Sequence, residues 1–503
     1  MDTASHDRNH TSRTSHCCGT LGRRQFLTRL GALGGAGLAL NLGLFRWSTH
    51  QVLAAPKLPG AEGPKPRIRI GFSRPDMEQY WMGWPGAAYD IEASQKRYIE
   101  VLEKAAAKQG VELDIEHAPL ADSATVDQFI EETQARQADG ALLTVMALHP
   151  DGWSPIRHFL EHRDELPTVV YSPQGTQFTP VLGEFRQTPR FFLGATADVE
   201  WLADALRLLS SQWKMAHTRI AVIAGDAEQE QPLEPIGTVL HHMPLAWFAE
   251  AYDATADSEE AKAIARIYTE KAKGILEPTD EEIVEAARTY VANRQIMEET
   301  GCHAVTMDCL GLVGSRRTPP PCMAYMQLLD EGTCGCCEAD WPAGLSLLLS
   351  SYLCDRPAFL HNPTPNTVRN TYGGAHCTAP SLMDGFDADP EEFILRSHHE
   401  SDWGVAPQVL FREGQPATVM KFISPDTYMI ATGTILHNID TQPDDGVGGC
   451  RTAFEMRMDD VKDVRDIRGH HNVLIYGDHL HAYRAWAKLT GVTIEHITGG
   501  SLV

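Results

Sequence analysis

Cys337-Glu338-Ala339-Asp340-Trp341-Pro342 and the apolar run behind it decide how the second half of this chain is read. Proline is favoured in the first turn of a helix, so Pro342 predicts a helix start there, with Asp340 placed to cap it. Glu338 lies just ahead, at the end of an apolar segment. By itself, Glu-x-Asp before a helix reads as capping and complementation of the helix dipole. Downstream, however, Asn362 ends the next apolar segment, His376 follows two glycines in Gly373-Gly374-Ala375-His376, and Gly469-His470-His471 stands near the C-terminus. A carboxylate with scattered histidines, each at an element end, is the pattern of a divalent metal site assembled from distant segments.

Outward from that stretch, the N-terminal half alternates strands and helices. Arg67–Phe72 reads as a first buried strand, Ala93–Gln109 as a helix, Leu113–Ile115 as a strand, Val126–Ala138 as a helix, and Ala141–Val145 and Thr168–Tyr171 as strands. The pattern restarts at Thr218–Gly225, after a helix over Trp201–Met215. A charged helical stretch, Ser258–Thr300, precedes a strand at Ala304–Asp308. Beyond Arg356 short alternating segments such as Ala417–Phe422, Thr427–Leu436 and Asn472–Tyr476 predict a β-rich region, closed by a helix over Leu480–Leu489 and a strand at Val492–Ile497. The expected fold is therefore α/β: two consecutive doubly wound parallel-sheet (Rossmann-like) domains, 67–216 and 217–357, then a β-rich, barrel-like domain, 358–503.

A chain of 503 residues suits about three domains. Its net charge of −24 excludes a basic footprint for nucleic acid or an anionic membrane surface. Arg23-Arg24-Gln25-Phe26-Leu27, the mildly apolar run Leu30–Phe45 and Leu53-Ala54-Ala55 resemble a Tat export signal over 1–55, with a linker over 56–66. The run is shorter than the ~20 apolar residues of a spanning helix, so a mature, extracytoplasmic protein without a stable membrane span is expected. Of the eleven cysteines, Cys17 and Cys18 would leave with the signal. Cys334, Cys336 and Cys337 have no second cysteine pair at a zinc-site distance, and read as small buried thiols.

Three stretches carry a family resemblance: Cys337-Glu338-Ala339-Asp340 with its helix, Arg396-Ser397-His398-His399-Glu400-Ser401, and His470-His471-Asn472-Val473-Leu474-Ile475-Tyr476-Gly477-Asp478. From about Pro321 onward the chain resembles the L-fucose isomerase / L-arabinose isomerase superfamily, in its fucose-isomerase-like branch. The resemblance implies an aldose–ketose isomerase of carbohydrate metabolism that binds a monosaccharide and a divalent metal, Mn²⁺ in first place. It also implies a homo-oligomer, trimeric or hexameric. By position, Glu338 matches the metal-ligating carboxylate that moves the proton, and His471 and His376 match histidine ligands. Asn362 falls where the family has its second carboxylate. Asp340 is then a reserve carboxylate, His470 orients its neighbour, and Arg74, His399 and Glu400 contact substrate.

Proton transfer between C1 and C2 passes through a cis-enediolate, which calls for charge stabilisation at O1 and O2 and a carboxylate over one face. Asn362 can offer an oxygen but cannot shuttle a proton. The alternative from another class is therefore a non-catalytic, exported sugar-binding protein.

Overall fold

The computed structural model describes residues 65–82, 87–148, 150–440 and 449–502. The expected export signal, 1–55, and nearly all of the linker, 56–66, lie outside the described residues.

Arg67–Ser73 is flanked by Glu112–Ile115 on one side and Gly140–Val145 on the other, followed by Thr168–Pro173 and Phe191–Thr196. All four pairings are parallel. Strand residues alternate between two faces, and two cores result. Ile68, Ile70, Leu142, Val169 and Tyr171 join the helices Ile91–Gln109 and Trp201–Ala216. Ala141, Leu143, Val145 and Val170 face Phe129, Trp153 and Phe159, on the helices Ser123–Ala135 and Trp153–His162.

A second sheet begins at Arg219–Ile223, where the sequence pattern restarts. It is mixed rather than wholly parallel, because the edge strand Gln229–Leu233 runs antiparallel to Thr238–Met243. Ala304–Met307 and Cys334–Cys337 extend the sheet on its other side in parallel. The helical stretch expected over Ser258–Thr300 is two helices, Glu259–Lys271 and Asp280–Thr300. Between them come Gly274 and Pro278, and the second helix starts afresh with a Thr279/Glu282 capping box. The short strand Gly274–Ile275 pairs with Phe393–His398, so the expected divide at 357 is bridged by a third, small sheet.

The β-rich region is a closed barrel of six antiparallel strands. Its order is Pro416–Ser424, Asn472–Tyr476, Phe359–Asn366, Thr371–His376, Thr452–Met458 and Thr427–Asn438, with the last paired back to the first. Closure leaves no open sheet edge; Thr493–His496 adds alongside in parallel. The helix Trp341–Cys354 is apolar nearly all round and buries Leu345, Leu347, Leu348 and Leu349 in the core that also holds Met420, Phe422 and Val473 of the barrel. That packing fixes the N-terminus of the helix against one end of the barrel. Among the described residues no helix is long and apolar enough to cross a membrane.

Candidate metal and ligand site

Cys334–Cys337 ends in an abrupt turn. Glu338 and Ala339 both adopt the left-handed region, at φ 60° and 55°, at a cost of ~1–2 kcal/mol per residue for L-amino acids. The Ala339 N–H donates to the Met307 carbonyl, and Asp340 then caps the helix by accepting the Ala343 N–H at 2.9 Å. The helix cap expected from the sequence is present, and the strained turn before it throws the Glu338 side chain toward the barrel.

Two barrel segments meet it there. His376 is the last residue of its strand, and Gly374 just before it is required by packing: a Cβ would lie 2.4 Å from the His361 ring and 2.5 Å from the Phe454 ring. His471 stands at φ 55°, two residues after Gly469, at φ 95°. His376 Nε2 lies 3.5 Å from Glu338 Oε1, and His471 Nε2 lies 3.4 Å from Glu338 Oε2. The two imidazoles are edge to face, 5.4 Å between centroids.

Those separations are too long for good hydrogen bonds. They suit two ligands of one ion instead, since atoms ~2.1 Å from a tetrahedral metal are about 3.4 Å apart. His471 Nε2, which faces Glu338, and Asn362 Oδ1 are both buried without a hydrogen-bond partner, so each has a lone pair to offer an ion. The three side chains Glu338, His376 and His471 offer ligand atoms that all lie within 4.8 Å of one another. The donor set, one carboxylate and two imidazoles, fits a borderline divalent transition ion.

Asp340 supports this cluster. Its Oδ2 takes the Nδ1–H of His471 at 2.9 Å and the Lys421 ammonium at 2.7 Å, which turns the other ring nitrogen toward Glu338. Burial works against a charged His471, but its contacts with Asp340 and Glu338 outweigh it and raise the imidazole to about 9. His376 is shifted the other way, lowered by burial despite Glu338. The close approach of His376 first, and of His471, holds the Glu338 carboxyl far below the usual range against the opposing effect of burial. Burial opposes ionisation of Asp340, yet His471 and Lys421 bring it down to about 2.

The remaining expected residues separate. Asn362 pairs with Ala375, next to His376, and its strand neighbour His361 pairs with Asn472, next to His471. It therefore lies between the strands that carry both histidines. His399 is half-buried and Glu400 exposed on the turn after Phe393–His398, with Glu400 near enough to act on His376. His470 is exposed, and gives its carbonyl to Lys421; the hydrogen bond that orients His471 comes from Asp340. Arg74 is buried just beyond the strand Arg67–Ser73, bonded to Gln95 at 2.7 Å, and none of its described contacts reaches the cluster.

Two residues near the site escaped the sequence reading. Lys421 interrupts an apolar strand, Val419-Met420-Lys421-Phe422, and that interruption was the available signal. His398 is buried, bonded to Ser401 Oγ at 3.0 Å, and lowered to about 4 by burial with His376 close by. The described cysteines are free thiols, all buried except the half-buried Cys450.

A cavity of about 680 Å³ lies elsewhere, at the far end of the helix Trp341–Cys354, lined by Trp201, Arg207, Asp355 and Arg356 among others. None of the cluster's residues lines it.

No protein-family model matches the chain, and no curated protein does. Similar solved structures include an ABC-transporter solute-binding protein from Burkholderia multivorans (9% identity, 59% of this chain and 95% of that one, TM-score 0.18). Another is a sugar ABC transporter protein from Yersinia enterocolitica (9% identity, 60% and 82%, TM-score 0.19). A third is the arabinose-binding protein AraP of Geobacillus stearothermophilus (12% identity, 53% and 87%, TM-score 0.15). Such low scores establish neither family nor fold. The sequence expectation is corrected all the same: no family model and no curated protein of the fucose or arabinose isomerases matches the chain, and none of the solved structures named above is such an isomerase. Membership of the isomerase superfamily, aldose–ketose isomerase activity and the manganese assignment do not stand. The trimer or hexamer, expected from that family alone, loses its basis with them.

Proposed function

We propose that this chain is an exported, non-catalytic monosaccharide-binding protein whose site is built on a divalent metal held by Glu338, His376 and His471, with Asn362 Oδ1 as a neutral fourth ligand. The observation that carries the reading is the occupancy of the carboxylates. Both oxygens of Glu338 face histidine nitrogens, and Asp340 is taken up by Lys421, His471 and the Ala343 N–H. No carboxylate of the cluster is left over to move a proton between neighbouring carbons, and Asn362 cannot do so.

An ion held by these four side chains would take vicinal hydroxyls of a sugar by expanding its coordination to five or six. The protein's own part is to hold the ligands and fix their tautomers: Asp340 and Lys421 lock His471, and the glycines before His376 let its strand pack against His361. Export through the twin-arginine route, signalled by Arg23-Arg24 with maturation near Pro56, belongs to the same proposal. So does the doubly wound description of the two N-terminal sheets.

The test is a monosaccharide panel in D₂O with zinc-loaded protein, followed by NMR. Saturable binding with no deuterium entering C1 or C2 is expected. Exchange at either carbon, or failure of every sugar to bind, overturns the proposal.

A further inference from the structure

Among the described residues one other group has metal-ligand chemistry, and it lies on a single helix. His158, Glu161 and His162 occupy the last turn of Trp153–His162, three and four residues apart, so all three project from one face. Their ligand atoms also lie within 4.8 Å of one another. The two imidazoles are 4.4 Å apart between centroids.

Each ring has one nitrogen committed. His162 Nδ1 is 2.8 Å from the His158 carbonyl oxygen, and His158 Nε2 is 2.6 Å from Asp127 Oδ1 on the helix Ser123–Ala135. A carbonyl and a carboxylate only accept, so those nitrogens carry the protons. In the neutral tautomers this leaves Nε2 of His162 and Nδ1 of His158 with a lone pair for an ion. An outer oxygen that fixes the tautomer is the companion of most metal-bound histidines. The helix C-terminus adds the negative end of its dipole, which favours a cation there.

We infer that His158, Glu161 and His162 form a second, surface site for a borderline divalent transition-metal ion of the zinc class, with Asp127 as the residue that positions His158. This site does not depend on the proposed function, because it shares no residue with the buried cluster. Its exposure, with Glu161 and His162 open to solvent, leaves the remaining coordination positions to water.

The experiment is calorimetric titration of the full chain with ZnCl₂. The double variant His158→Ala/His162→Ala is expected to bind one Zn²⁺ fewer per chain than the wild type, while Glu338→Gln retains the surface ion. Asp127→Asn should keep the stoichiometry and weaken this site about tenfold. As a readout that needs no variant, the imidazole ¹⁵N resonances of His158 and His162 in the wild type should shift with the first equivalents of zinc. Unchanged stoichiometry in the double variant, imidazole signals that do not move, or saturation only above millimolar zinc each overturn the inference.

Discussion

The buried cluster at Glu338 and the exposed cluster at His158 use the same ligand types in opposite ways. Glu338, His376 and His471 come from segments separated by tens of residues and meet only because the helix Trp341–Cys354 packs on a closed barrel. His158, Glu161 and His162 need nothing beyond one helical turn. The first is buried, carries left-handed residues at Glu338 and His471, and leaves polar atoms unpartnered. The second is unstrained and wet. Long-range assembly holds two buried histidines around a half-buried carboxylate, whereas local assembly sets three side chains on one exposed helical turn with little consequence for the fold.

Four variants, three of them in the clusters and one in the buried core, test that contrast in descending order of effect. Glu338→Gln removes the carboxylate that, among the described residues, faces both buried histidines. Metal affinity of the buried site should fall by ~100-fold or more, read by zinc competition with a chromogenic chelator, while the surface ion is retained. A loss of both ions together would mean that the clusters are coupled.

Glu331 is a buried acid outside both clusters. Its Oε1 accepts from Tyr290 OH at 2.6 Å and from Gln327 at 3.0 Å, Oε2 has no partner, and burial pushes it up to about 8. A carboxyl whose pKa is raised on folding contributes stability that is full below its unfolded value and lost as pH rises through about 8. Glu331→Gln should therefore flatten the fall in stability from about pH 4.5 to 8, by on the order of 2 kcal/mol at the upper end. Thermal unfolding across that range checks it; an unchanged pH profile would show that burial alone does not govern this acid.

Asp340→Asn keeps the helix cap, since asparagine caps as well as aspartate, but removes the charge that meets Lys421 and His471. A ~10-fold loss of zinc affinity at the buried site is expected with the stoichiometry preserved. Equal affinity would leave Asp340 as a cap and nothing more. Last, His158→Ala/His162→Ala should change the stability of metal-free protein by no more than about 0.5 kcal/mol, measured by urea unfolding in the presence of a chelator.

Much of the fold could be read from residues. Hydrophobic runs such as Ile68–Phe72 and Ala141–Val145 mark the parallel strands, and the alternation at Ala417–Phe422 and Thr427–Leu436 marks the β-rich part. The barrel-like character expected of 358–503 is present, but the strand order and the closing pair, Pro416–Ser424 with Thr427–Asn438, could not be read, because they rest on long-range pairing. The antiparallel edge Gln229–Leu233 is polar and exposed over most of its length, so it carries no periodic signal. At the site, Glu338, His376 and His471 were visible as polar residues at element ends. Lys421 was hidden by a strand that otherwise reads as core. The His158 cluster was missed for a different reason: Pro155 argues against a helix over that segment, yet it falls in the first turn of Trp153–His162, where proline is tolerated. The isomerase assignment failed because short matching stretches were given the weight of a family.

The central claim is that a metal at Glu338, His376 and His471 holds a sugar without transforming it. Its most direct test is equilibrium binding of a monosaccharide panel to zinc-loaded wild type and to Glu338→Gln. Saturable binding to the wild type, weakened ~100-fold or more in the variant, is the predicted result. Equal binding by both proteins, or binding by neither, would contradict it.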